Sequence, residues 1–159
     1  MINNDVLRRL RFALDLNNAK IIKLFKLAGF TIEHAELDTF LKKEEDDGYV
    51  ECSNSKLNHF LDGLIILKRG VQQNPPKNVD KTHLTNNIVL KKIRIALELK
   101  DVDILELLII GDMKITKSEI SALFRNENHR NYKLCGDQLL RKFLAGLSNR
   151  AKFNIKIGV

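Results

Sequence analysis

Apolar residues recur along this chain at helical spacing, and each set returns 83 positions later. Val6, Leu7, Leu10, Ala13 and Leu14 stand three and four apart, the signature of a helix that buries one stripe, and Val89, Leu90, Ile93, Ala96 and Leu97 repeat them. Ile21, Leu24, Phe25 and Ala28 correspond to Ile104, Leu107, Leu108 and Gly111. Leu57, Phe60, Leu61, Leu64 and Ile65 form the stripe of a fourth helix. The closest echo is Tyr49, Cys52, Phe60, Leu61, Gly63 and Leu64, matched by Tyr132, Cys135, Phe143, Leu144, Gly146 and Leu147. Such self-similarity marks a duplication. The pattern predicts an all-α protein, a tandem duplication of an about 70-residue four-helix unit packed with approximate two-fold pseudo-symmetry. The units span residues 1–70 and 84–152, with a Pro-containing linker at 71–83 and a tail at 153–159. Units this small bury too little surface alone, so the copies are expected to share a core.

Local signals refine the boundaries. Asn3-Asn4 and Asn86-Asn87 are expected as N-caps of the first helices, Asn17-Asn18 and Lys100-Asp101 of the second, Asn54 and Asp137 of the fourth. Thr116-Lys117-Ser118-Glu119 is a capping box with Ile115 and Ile120 as its hydrophobic staple, whereas Glu33 gives the first copy a weaker start. Arg11/Asp15 and Arg94/Glu98 are spaced for i,i+4 ion pairs. Gly29 is expected to end the second helix in the left-handed region, with Gly111 doing so one place earlier in its copy. Gly63 and Gly146 lie inside the fourth helices, where close approach of another helix would compensate their cost, and the shared interface is expected there. Pro75-Pro76 biases the linker towards an extended path. The tail alternates like a strand without a sheet to join.

Composition adds limits. With 44% hydrophobic and 30% charged residues the chain reads as an ordinary globular protein. Met1-Ile2-Asn3-Asn4-Asp5 lacks a basic or apolar leader, and no apolar run reaches the ~20 residues a membrane span needs, so a cytoplasmic, non-membrane protein is expected. Two cysteines without a CxxC pair fit a reducing compartment. The net charge of +7 is unevenly spread: residues 2–70 hold 11 Lys/Arg and 11 Asp/Glu, whereas residues 84–152 hold 13 and 8.

The second copy reads Phe124-Arg125, His129-x-x-Tyr132-x-x-Cys135, then Asp137-Gln138-x-Leu140-Arg141-x-Phe143-Leu144-x-Gly146-Leu147. With Asn3-Asn4-Asp5-Val6-Leu7-Arg8-Arg9-Leu10-Arg11, this resembles the YehS-like family of bacterial proteins over nearly the whole chain. The resemblance implies two copies of a domain of unknown function and a bacterial, cytoplasmic protein. It carries no active site across.

No phosphate-cradling glycine loop, HExxH or GxSxG is present, and no catalytic residue, cofactor, metal or small-molecule substrate is inferred. Cys52 and Cys135 are expected as core filler, because free cysteine is among the most buried residue types. His129 with Cys135 lacks a third ligand or an acidic orienter, and Asp46 takes the histidine's place in the first copy. The second and third helices allow a helix-turn-helix reading, but the first copy would offer Glu33, Glu36 and Asp38 to DNA where the second offers Lys117, Ser118, Ser121, Arg125 and Asn126. The sharpest divergence lies before the fourth helix: Glu44-Glu45-Asp46-Asp47 in one copy, Arg125, His129, Arg130 and Lys133 backed by Arg141 and Lys142 in the other. The chain is therefore expected to be a non-enzymatic binding module, with nucleic acid or another anionic macromolecule engaged through Lys117, Arg125, His129, Arg130, Lys133, Arg141 and Lys142. The alternative is an interaction or assembly module, such as a homo-oligomer, using complementary acidic and basic loops. An enzyme would need a pocket of convergent polar groups.

Overall fold

The computed structural model describes residues 1–71, 73 and 80–153, without the side chains of 152 and 153. Pro75-Pro76 and the strand-like part of the tail lie outside the described residues. The helices are α1 (Asn3–Ala13), α2 (Asn18–Leu27), α3 (His34–Leu41), α4 (Asn54–Arg69), α5 (Asn86–Leu97), α6 (Asp101–Ile110), α7 (Lys117–Leu123) and α8 (Asp137–Asn149), followed by a 3-10 turn over Arg150–Phe153. No strand occurs among the described residues. The fold is all-α, two four-helix units in tandem.

The units interlock. The first helix of each repeat lies against the last helix of the other, α1 on α8 and α5 on α4, while α2 and α6 pack on α4 and α8 within their own repeats. Side chains from each of α1 to α8 merge into one buried cluster, with Phe25, Phe40, Phe60 and Phe143 among its largest members. Each fourth helix is therefore clasped on two sides.

Glycine permits one of those contacts. A Cβ built on Gly63 would fall inside the carbonyl oxygen of Leu24 in α2, and one built on Gly146 would meet that of Leu107 in α6. The close approach is as expected, but its partner is the second helix of the same repeat. The interface between repeats uses the other sides of α4 and α8. Gly111 belongs to the same contact, facing the Lys142 carbonyl. It does not take the left-handed turn: Gly29 does in the first repeat (φ 82°), and the aligned Asp112 does in the second (φ 66°).

Several caps also differ from their expected places. Asn17 and Thr116 cap as expected, accepting from the Lys20 and Glu119 N–H groups at 2.8 and 3.1 Å, and Glu33 makes no side-chain cap. At α6 the reciprocal bond comes from Asp103, which accepts the Lys100 N–H at 2.7 Å. Ser53 and Gly136, one residue before Asn54 and Asp137, occupy the N-cap positions of α4 and α8. Ile2 and Thr85 precede α1 and α5, so the asparagine pairs are inside those helices and free for other work. The i,i+4 ion pairs do not form. Asp15 and Glu98 turn left-handed just beyond the helices, and Arg11 and Arg94 instead reach the next helix, at Asn18 (3.3 Å) and Asp101 (2.8 Å).

Candidate anion-binding site

The loop before each fourth helix has no regular structure, so its backbone groups need other partners. Buried asparagines supply them. Asn87 donates both amide hydrogens, to the Leu123 carbonyl at 3.0 Å and the Lys133 carbonyl at 2.8 Å, and its Oδ1 accepts the Cys135 N–H at 2.9 Å. Asn4 does the same with Phe40 (3.1 Å), Val50 (2.9 Å) and Cys52 (2.9 Å). The neighbouring Asn86 and Asn3 donate to the Cys135 and Cys52 carbonyls and to the first residue of the fourth helix, Asp137 or Asn54. This explains the duplicated Asn-Asn pair and the cysteine positions, whose backbone groups tie the loop to the start of the first helix. Cys52 and Cys135 are buried free thiols, and burial pushes both up to about 12, which keeps them protonated and unreactive.

Above this anchor the two repeats part. In the first, Arg8 pairs with Asp5 and donates to the Lys42 carbonyl at 2.9 Å, so its guanidinium bridges from α1 to the loop. Tyr49 completes the closure, its hydroxyl donating to Asn4 Oδ1 at 3.2 Å. In the second, Ile88 stands where Asp5 stood and Lys91 where Arg8 stood. The bridge is absent and a cleft of about 300 Å³ opens between α5 and the α7–α8 loop. Ile88, Leu123 and Phe124 give it an apolar floor; Lys91, Arg125, Asn126, Glu127 and Tyr132 bring polar groups to its walls. Arg94 stacks on Phe124 with 4.5 Å to the ring centroid. Arg125 is held by donating to the Asn131 carbonyl at 3.0 Å. The Tyr132 hydroxyl makes no hydrogen bond among the described residues, and burial, then the charge of Glu127, push its phenol above the ordinary value. It remains a proton donor at neutral pH.

The seven residues expected from the sequence are not gathered into one face. Arg125 lines the cleft; His129 and Arg130 are exposed on the loop beside it, His129 accepting the Asn131 N–H at 3.0 Å. Lys117 is exposed at the start of α7. Lys133 is neutralised: it pairs with Glu119 and, ahead of the Thr116 N–H, holds that carboxyl below the usual range. Lys142 leans towards Asp112 beyond α6, at 4.0 Å, and Arg141 is exposed on α8. Neither Lys133 nor Lys142 is a free cation of the loop. Lys91 and Tyr132 were not among the expected site residues. The readable signal for Lys91 is the paired change from Asp5 and Arg8 to Ile88 and Lys91 at aligned positions.

A family model described as "Protein of unknown function (DUF1456)" matches the chain twice, over residues 3–70 and 86–152. The chain belongs to the DUF1456 family. It is also 39% identical over 150 residues to "Uncharacterized protein YehS" of Escherichia coli (strain K12), covering 94% of this chain and 96% of that protein. No solved structure matches. The two DUF1456 matches coincide with the two helical units, and each contains one complete asparagine-loop anchor. No helix among the described residues is long and apolar enough to cross a membrane.

Proposed function

We propose that this DUF1456 protein is a non-enzymatic binding module whose second repeat engages an anionic macromolecule, nucleic acid. The observation that supports it best is the asymmetry between repeats that share the same helices and the same asparagine anchor. The first spans the place with an Arg8–Asp5 pair bonded on to the Lys42 carbonyl and carries an acidic loop; the second has a cleft there lined by Lys91 and Arg125, with Arg130 exposed on the loop beside it. Phosphate contacts of this kind give affinity without sequence reading, and each releases counterions. Retention of a labelled RNA or DNA oligomer is expected to fall steeply with salt. Changing Lys117, Arg130 and Arg141 to Glu is expected to weaken it at least about tenfold and to flatten the salt dependence by about 0.7–0.9 in log–log slope for each phosphate no longer neutralised. Arg125 is spared in this test because it also holds the loop. Retention unchanged in the triple variant rules the reading out.

A second reading, assembly of copies through opposite charges, is favoured by the acidic loop. No ion pair joins it to the basic loop among the described residues, so its Glu44 and Glu45 are available to another chain. That reading expects a dimer or larger species at low salt that dissociates as salt is raised. A monomer at every ionic strength contradicts it.

A further inference from the structure

We propose that the cleft between α5 and the α7–α8 loop seats one phosphorylated nucleoside, its phosphate between Lys91 and Arg125 and its base over the apolar floor. This deepens the nucleic-acid reading and rests on it. Three features converge. First, Lys91 and Arg125 line one cleft of about 300 Å³, the size of a small-ligand pocket, and Lys91 has no ion pair among the described residues. Second, the Tyr132 hydroxyl in the same wall makes no hydrogen bond among the described residues, although its counterpart Tyr49 donates to Asn4. Third, the opposite repeat satisfies the same place from within: Arg8 bonded to Asp5 and to the Lys42 carbonyl is a built-in cation–anion contact. With Ile88 in place of Asp5, the second repeat has kept a cation on this helix and lost the carboxylate one turn before it.

A phosphate is the group that restores it. It accepts from an ammonium, a guanidinium and a phenol at once, and such charge-assisted bonds are stronger than neutral ones. Glu127, 3.6 Å from His83, and Asn126, whose Oδ1 accepts the Asn128 N–H at 2.9 Å, keep further lone pairs for the amino or hydroxyl groups of a nucleoside, and Ile88 and Phe124 offer apolar surface to a base. The phosphate can belong to the 5′ end of a strand or to a free mononucleotide, and the chemistry recognised is the same.

Anisotropy titrations with a 3′-labelled single-stranded RNA decamer, carrying either a 5′-monophosphate or a 5′-hydroxyl, test this in the full-length protein. The phosphorylated decamer is expected to bind about tenfold tighter, as charge-assisted contacts imply. The double variant Ile88→Asp/Lys91→Arg rebuilds the first repeat's bridge and is expected to erase that preference. Tyr132→Phe, nearly isosteric, is expected to reduce it about threefold by removing one hydrogen bond, and it serves if the double variant loses its helical circular dichroism. Competition by AMP separates the sources: displacement at equal affinity points to a free mononucleotide, weaker displacement to a strand end. If the wild type retains both decamers equally, or the folded variants keep the full preference, the cleft assignment is overturned while the basic-surface reading survives. If neither decamer binds at low salt, the nucleic-acid reading falls. Calorimetry with AMP then decides the cleft separately: AMP binding weakened by the double variant upholds it, and no AMP binding removes it.

Discussion

At the scale of single residues, buried asparagines expected to cap their own helices instead anchor a distant loop. Asn4 and Asn87 are read from local sequence as caps, because an asparagine near a helix start usually serves the nearest free N–H. Their actual partners are 36 to 48 residues away, and no local pattern encodes that distance. Replacing Asn87 with Ala strands two carbonyls and one N–H in the interior and is expected to cost about 2–4 kcal/mol, read as a lower urea midpoint at unchanged slope. A cost below about 0.5 kcal/mol, the level of an ordinary surface change, contradicts the anchoring role. Gly146 is a second case. Its position in a helix announces a close contact, but which helix approaches depends on the packing. Gly146→Ala drives a methyl into the Leu107 carbonyl and is expected to destabilise by about 3 kcal/mol, where the same change in an exposed helix would stabilise by about 1.

At the scale of elements, the helices themselves were legible because their apolar stripes are long and duplicated. Their pairing was not, because α4 and α8 each bury two faces and a stripe does not say which neighbour takes which face. The two seams between repeats also differ in chemistry. Across α4 and α5, Asp62 accepts from Lys81 and Lys92 at 2.5 Å each, and Lys92 reaches Asn58 Oδ1 at 2.5 Å. The aligned positions on the α1 and α8 side are Arg9, Arg141 and Ala145, with no acid among them. Burial raises Asp62, but its hydrogen bonds from Lys81 and Lys92 outweigh that and leave it below the usual carboxylate range. Lys92 is pushed down by its own burial, and Asp62 only partly restores it. A carboxylate lowered in the folded state contributes stability above its unfolded pKa of about 3.9, and that contribution disappears as pH falls through the lower folded value. Acid unfolding below about pH 4 is therefore expected to include an Asp62 component. Asp62→Asn should lower stability at pH 7 and make the profile between pH 5 and 2 shallower. An unchanged acid profile in that variant contradicts the assignment.

At the scale of the whole molecule, duplication supplied more than a second copy. Because α1 packs on α8 and α5 on α4, neither repeat holds its own first helix on its own last one as its main contact. A chain of residues 1–70 alone is expected to lack a cooperative thermal transition, and to gain one when residues 84–152 are supplied. Independent melting of the fragment contradicts the interlocked core. The shared interior preserved the duplicated stripes, the glycine contacts and the asparagine anchors, which is why the fold could be read from the chain. The exposed grooves were free to diverge. Only half of that divergence showed as charge in the sequence: the basic loop was visible, whereas Lys133 and Lys142 proved to face acids, and the opened cleft depended on a salt bridge that had to be seen in the other repeat. Hydrogen exchange with and without a single-stranded oligomer at low salt tests this asymmetry most directly. Added protection is expected around residues 85–91 and 123–133, and none around the aligned residues 2–8 and 40–50. Equal protection of both regions, or protection of the first alone, contradicts it.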